Sequence, residues 1–416
     1  MIQFNMIFLK NSLPFETSKI QTLDDPRILF LLHIPPPVHG SSVVGLSIKE
    51  SKLINKKFIC QYINLLASQQ VAESGIFKFR KLAGFALTLF KMLTTISKKR
   101  PKLAYLALST TGWAFFRDFL LIVLLKVLRI KRVYHLHNKG VSRYQHNTIY
   151  QACYHYVFKD ADVILLSRLL YPDIQAFVPI DKIHVCPNGI PDQIPRNQHL
   201  SHIQKIDSTY LQIYPSKKNV QILFLSNLIK SKGVFLLLEA FEILKKRSIQ
   251  FEGIFIGGEG DITISQFNER VNQLNLDQLA FYQGKKYGED KKLAFLNADI
   301  FAFPTALECF PLVLLEAMSY SLPIVTTSEG GIPDIVEDGV TGILMMKNNA
   351  KALADQLEML IQNSELRQQM GRCGRQKYEK QFTLPEFENR LTDILSNILK
   401  KERHATGIQH FQPSIE

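Results

Sequence analysis

Short, almost wholly apolar runs alternate with stretches of helical periodicity along most of this chain, and that rhythm restricts its fold more than any other feature. The first run is 27–34 (RILFLLHI), and others follow at 103–108, 133–136, 163–166 and 183–185. A strand apolar at consecutive positions is buried on both faces, and intervening helices supply the cover, so the pattern predicts a parallel sheet with helices on both sides. Pro187, Asn188, Gly189, Ile190 and Pro191 then break the rhythm, and a polar stretch runs to 218, which marks a hinge. A second alternation follows, with strands at 221–225, 253–256, 280–282, 300–303 and 323–326, helices at 234–246, 290–297 and 312–319, and an apolar run at 342–345. The fold class expected is therefore α/β, with two Rossmann-like doubly wound units. The domains divide as 1–26, an extension of unknown role; 27–190; 191–383; and a tail at 403–416. Residues 351–380 read as helical, and 384–402 as an amphipathic helix with Phe387, Leu391, Ile394 and Ile398 at helical spacing.

A chain of 416 residues with 46% apolar content can bury the cores such units need. Its formal charge of +13 is uneven: residues 1–190 hold 25 Lys/Arg against 10 Asp/Glu, and 191–416 hold 25 against 27. A basic half suits nucleic acid, an anionic membrane surface or an acidic substrate. No zinc-type Cys pair, RNA-binding aromatic signature or recognition helix accompanies it, so no nucleic-acid partner is expected. The cysteines at 60, 153, 186, 309 and 373 are odd in number and widely spaced, which fits a reducing, cytoplasmic compartment. The start of the chain lacks the pattern of a secretory signal. The apolar stretches 79–96 and 115–130 are interrupted by charge and fall short of the roughly 20 residues of a membrane span. A peripheral protein on the cytoplasmic face is expected.

In doubly wound domains ligands sit beyond the carboxyl ends of the strands, so the turns there carry the chemistry. After 300–303 come Glu308, Cys309, Phe310 and Pro311, then a helix containing Glu316. A helix start offers free N–H groups and a positive dipole end to a diphosphate; Pro311 lacks an N–H, so the donors are Phe310, Leu312 and Val313. Glu308 can accept hydrogen bonds from sugar hydroxyls and Glu316 from a ribose. On spacing alone, a loop acid in water and a helix acid in an ion pair explain the two glutamates equally well. Lys232, before Gly233 at a helix start, can neutralise phosphate charge.

These residues also carry a family resemblance. The run ECFPLVLLEAMSYSLPIVTTSEGGIPDIVEDGVTG (308–342), with SNLIKSKGVFLLLEAF (226–241), IGGEGD (256–261) and ADIFAFPTALE (298–308), resembles the retaining glycosyltransferases of family 4, whose two domains face across a cleft in the GT-B fold. Glu308 and Glu316 match that family's E-x7-E spacing, and PPPVHG (35–40), HLHN (135–138) and PNGI (187–190) extend the likeness over nearly all of the chain from about residue 27. The resemblance implies a hexosyltransferase-type enzyme using a nucleotide-sugar, UDP-sugar favoured. Lys232 would hold the donor diphosphate, Glu308 the donor sugar and Glu316 the ribose, with the stretch from Cys309 to Val313 around them. Gly40 would let its loop approach the phosphates, and His137, rather than His135, would lie near the reacting sugar; a strand-end histidine can equally be a satisfied core residue. The helix at 384–402 would return to the N-terminal domain. The family places an arginine where this chain has Asn227, which removes one fixed charge and leaves Lys230 as a candidate substitute. That departure keeps open a catalytically inactive or regulatory sugar-nucleotide-binding protein, and the fold keeps open a sugar-nucleotide epimerase. No D-x-D motif of the metal-binding kind is read, so no metal and no cofactor are expected.

On the acceptor side, 77–102 carries Lys78, Arg80, Lys81, Lys91, Lys98, Lys99, Arg100 and Lys102 without an acid, among Phe85, Leu89, Met92, Leu93 and Ile96. Such a segment suits anionic headgroups; an ordinary helix with its apolar side in the core is the competing reading. By analogy the acceptor is a saccharide or lipid-linked saccharide of surface polysaccharide or glycolipid synthesis.

Overall fold

The protein is described by a computed structural model over residues 26–65, 77–194 and 219–407; the expected extension at 1–26 lies outside these, Pro26 excepted. The first unit contains β1 (Arg27–Leu32), α1 (Gly40–Glu50), α2 (Lys52–Lys57), β2 (Ile59–Asn64), α3 (Phe77–Lys98), β3 (Leu103–Leu108), α4 (Gly112–Val127), β4 (Lys131–Leu136), α5 (Val141–Tyr144), α6 (Thr148–Phe158), β5 (Asp162–Leu165) and β6 (Ile183–Val185). The second contains β7 (Val220–Leu225), α7 (Val234–Lys246), β8 (Phe251–Ile256), α8 (Ile264–Gln273), β9 (Ala280–Tyr282), α9 (Gly288–Asn297), β10 (Ile300–Phe303), α10 (Leu312–Ser319), β11 (Ile324–Thr327), α11 (Ile332–Ile335), β12 (Gly342–Met345), α12 (Ala350–Gln362) and α13 (Ser364–Gln381). A last helix, α14 (Leu384–Gly407), follows.

Both sheets are six-stranded and wholly parallel, in the orders β2-β1-β3-β4-β5-β6 and β12-β11-β10-β7-β8-β9. Their apolar strands are buried on both faces, completely so in β3. Each sheet reverses its direction of growth once, between β1 and β3 in the first and between β7 and β10 in the second. Such a reversal splays the following loops apart and opens a crevice at the carboxyl end of the sheet. The two-domain α/β expectation holds.

Several boundaries differ from the sequence reading, each for a local reason. The stretch 351–380 is two helices, because the Asn363 side chain accepts from Leu366 N (2.9 Å) and caps a new start. The first helix begins at Gly40 with His39 as its cap and stops at Glu50, where Ser51 caps α2. Strand β2 was not read from the sequence, since its residues are only half-buried and its run (ICQYIN) is interrupted by polar side chains. The tail placed at 403 begins later, because α14 continues to Gly407.

Helix α14 belongs to the first domain's core. Phe387, Leu391, Leu395 and Ile398 are fully buried in one cluster with Ile28, Phe30, Val44, Ile48 and Val133, and Lys131 Nζ donates to Ile398 O (3.0 Å). The chain therefore crosses between domains twice, and the crossings are joined: Ile190 N donates to Phe382 O (3.0 Å) and Leu384 N to Ile190 O (2.8 Å). A Cβ on Gly189 would enter the Thr383 carbonyl and Phe387, so only glycine lets the strands meet there. Arg375 adds a bidentate pair to Asp192 (2.7 and 2.6 Å) and a bond to Ser319 O.

Candidate active site

The carboxyl ends of the two sheets face each other across a cleft of about 790 Å³. The C-terminal wall is built at the switch point of its sheet, where the loops after β7 and β10 are laced together: Ala306 N (2.7 Å) and Thr305 Oγ1 (3.0 Å) both donate to Ser231 O. Gly233 makes this approach possible, because its φ is +87° and a side chain there would strike the Pro304 carbonyl. The lacing brings Lys232 to Glu308, whose side chains form an ion pair, and Lys232 Nζ also donates to Leu307 O (3.3 Å). The other carboxylate oxygen of Glu308 accepts from Cys309 N (3.2 Å).

Helix α10 starts at Leu312 after Pro311, without a side-chain cap, and Phe310, Pro311, Leu312 and Val313 all line the cleft. The start of the helix, with its positive dipole end, thus lines the same cleft as Lys232. Glu316 lies on the same helix and is paired with Lys291 of α9 at 2.6 Å. The ion-pair reading of the glutamates and the cleft-lining one thus coexist: both are paired, and both face the cleft. Cys309 is buried; desolvation, then Glu308, pushes its thiol up to about 12, so it is no nucleophile.

On the opposite wall Gly40 opens α1, and a Cβ there would meet only Leu312 Cδ1, at 4.0 Å. The starts of α1 and α10 therefore face each other across the cleft. His137 and Asn138 follow β4 into it. His137 is half-buried, and its buried Nδ1 has no partner among the described residues; desolvation, and secondarily His135 and His39, hold its pKa well below the ordinary value, so the ring is neutral. His135 does not line the cleft: its ring lies tilted against His137, centroids 4.2 Å apart, and bonds Tyr105 Oη (2.5 Å). Asn188, with an unpartnered buried Oδ1, also faces the cleft.

Two expectations need correction. Lys230 does not line the cleft; its N–H donates to Asp261 (2.7 Å), and the lysines that do line it besides Lys232 are Lys285, Lys286 and Lys291. Asn227 faces the cleft as a polar strut, its Oδ1 accepting from Gly258 N (3.0 Å). The chain also does contain one D-x-D spacing, Asp160-Ala161-Asp162. It stands at the amino end of β5, away from the cleft, where Asp162 pairs with His184 (3.1 Å) and Lys131 (3.9 Å). Among the described residues no three His, Cys, Asp or Glu side chains gather as a metal-ion set.

Sequence reasoning missed further cleft residues. His33 bonds Ser41 Oγ (2.6 Å), and burial, then Arg117, lowers its pKa to about 3; His39 caps α1 through Ser42 N (3.3 Å). The segment HIPPPVHG held both histidines in view, but nothing in it showed that they converge. Beyond the cleft, Lys139 of the first domain and Lys347 of the second both pair with buried Glu329, and Ser167 Oγ donates to Asp334 (2.5 Å) across the same boundary.

The sequence model of the family described as glycosyl transferases group 1 matches residues 209–377, which hold Lys232, Glu308 and Glu316. A relative from Staphylococcus aureus, the capsular polysaccharide biosynthesis glycosyltransferase CapM, is 24% identical over 96% of this chain and 97% of its own length. Over these residues the chain is similar to group 1 glycosyltransferases. The amylovoran biosynthesis glycosyltransferase AmsK of Erwinia amylovora is 29% identical to it over 66% of each. Among solved structures, the chain shares its fold with Anabaena HepE in complex with UDP-glucose (TM-score 0.69, 19% identity, 89% of this chain and 99% of that one). It shares it too with WaaG, a glycosyltransferase of lipopolysaccharide biosynthesis (TM-score 0.62, 16% identity, 88% and 99%). The GT-B architecture is thereby established.

Proposed function

We propose that this enzyme transfers a sugar, with retention of anomeric configuration, from a UDP-sugar on the C-terminal wall to a saccharide or lipid-linked saccharide on the N-terminal wall, in the assembly of a surface polysaccharide or glycolipid. The observation that carries the reading is the meeting of Lys232, Glu308 and the start of α10 at one switch point, opposite Gly40 and His137. UDP is favoured because HepE, of the same fold, was solved with UDP-glucose, and the polymer setting because CapM and AmsK are named for such pathways.

Glu308 takes the hydroxyls of the donor sugar, which releases Lys232 to the diphosphate; Glu316 takes the ribose. The bond from the anomeric carbon to the diphosphate oxygen breaks as the acceptor oxygen bonds to that carbon on the same face. The acceptor proton passes to the departing phosphate oxygen, and charge developing there is met by Lys232 and the α10 amides. Neutral His137 lies beside the reacting sugar as a hydrogen-bonding group. These charges are supplied by the protein itself, so transfer proceeds without a metal and survives a chelator.

Docking on an anionic membrane belongs to the same proposal, through a face of α3 that shares only Leu93 with the stripe its periodicity suggested. Phe85, Leu89, Met92 and Ile96 pack inward, whereas Leu87, Phe90 and Leu93 are exposed beside Lys91. Trp113, 68% exposed, opens α4 at the cleft edge of the same domain. No helix of the described residues is long and apolar enough to cross a membrane. The deciding experiment is a panel of UDP- and GDP-sugars with a membrane lipid extract as acceptor, run on the native chain, Lys232→Ala and Glu308→Gln. Consumption of one donor, lost in both folded variants, is the expected result; no turnover of any donor would overturn the reading.

A further inference from the structure

The cations on the donor wall are unequally committed. Lys232 stands against Glu308 and Lys291 against Glu316, so each of these charges is already balanced by a carboxylate. Lys286 donates to Gln283 Oε1. Lys285, exposed in the loop after β9, lines the cleft and makes no hydrogen bond or ion pair among the described residues.

The place of Lys285 is set by a glycine. Its stem lies directly over Gly258: a Cβ built there would collide with Lys285 Cε and stand 3.0 Å from Nζ. The N–H of that same glycine is held by Asn227 Oδ1 at 3.0 Å, and Gly258 O accepts from Leu228 N (2.7 Å). The Lys285 ammonium therefore lies over the short piece of backbone that Asn227 braces, beside the turn carrying Lys232. A diphosphate in this cleft meets Lys232 as one cation and needs another to offset its remaining charge.

We propose that Lys285 is that second cation: a donor-binding residue that carries the diphosphate charge left unmet by the neutral amide of Asn227. The inference rests on the nucleotide-sugar reading above. A flexible lysine stem reaching in from a neighbouring loop replaces a charge fixed on the β7 turn, and the bare face of Gly258 is what admits the stem.

The test measures binding of UDP and GDP to the full chain by titration calorimetry, continuing with whichever binds more tightly. Lys285→Gln is expected to weaken it about tenfold, the order expected of one charge-assisted hydrogen bond. Lys285→Arg retains native affinity, and Asn227→Arg in the Lys285→Gln background regains most of the loss. The inference is overturned if Lys285→Gln stays within about twofold of native, or if the double variant binds no better than Lys285→Gln alone. Failure of the native chain to bind either nucleotide would remove the donor reading along with the inference, whereas native binding that ignores Lys285 removes the inference only.

Discussion

At the scale of single residues, the site works by balanced charge. Removing either member of the Lys232–Glu308 pair leaves the other without its ion-pair partner and, in the proposed mechanism, takes away a group placed at the donor. Lys232→Ala is expected to lower kcat/KM on the order of 100-fold or more, with the far-ultraviolet circular dichroism unchanged; a loss below about fivefold would place the diphosphate elsewhere. The buried histidines make a separate statement. Burial lowers the pKa of His33 and His135 to about 3, against about 6.5 for the unfolded chain. Between these values the unfolded chain binds the extra protons, so stability falls as pH drops below about 6.5, by up to about 1.4 kcal/mol per pH unit for each histidine. Urea midpoints at pH 7.5 and pH 5 should therefore differ, and His135→Gln should flatten the difference; equal native midpoints would contradict the burial argument. Glu329, which burial pushes up but Lys139 and Lys347 hold below its usual range, acts only at lower pH and does not confuse that window.

At the scale of elements, α14 decides whether the two domains form one cooperative body. Leu391 is wholly buried against the first sheet although it follows the second domain in sequence. Leu391→Ala is expected to cost about 2–5 kcal/mol and to loosen the joined crossings at Ile190 and Leu384, which limited proteolysis would show as earlier cleavage between the domains. Helix α3 shows how far periodicity can be read. Its stripe of Phe85, Leu89, Met92, Leu93 and Ile96 was visible at helical spacing, yet spacing alone could not say whether the stripe faces lipid or core. The core takes Phe85, Leu89, Met92 and Ile96 of that stripe, whereas Leu93 stays exposed with Leu87 and Phe90. Replacing Phe90 and Leu93 with Ser is expected to weaken flotation with anionic vesicles several-fold, each apolar side chain contributing about 1.5–3 kcal/mol when fully buried, while leaving donor hydrolysis intact. Unchanged flotation would assign this face to solvent.

At the scale of the whole molecule, the two domains are tied by side chains that do not line the cleft. Lys139 reaches over the domain boundary to Glu329, and Ser167 to Asp334, while the hinge pair Arg375–Asp192 stands at the opposite side of the crossings. Cleft closure gates access to donor and acceptor in enzymes of this design. Lys139→Ala should thus leave UDP binding nearly unchanged and lower kcat several-fold, because it removes a contact that joins the two domains and none that lines the cleft. A variant with native kcat would show that the pair is ornamental to closure.

The amino-acid sequence by itself determined the two α/β units, the break at 187–191, and the triad of Lys232, Glu308 and Glu316, because apolar runs, turn residues and the spacing along one helix are local properties. What only the tertiary structure decided was convergence. The meeting of His33, His39 and His137 on one wall, the pairing of each glutamate with its own lysine, the inward turn of the α3 stripe, and Lys285 above Gly258 all join positions far apart in the chain. Strand order fixes which loops become neighbours, and burial fixes which charges must find partners; neither is written in any single stretch of residues.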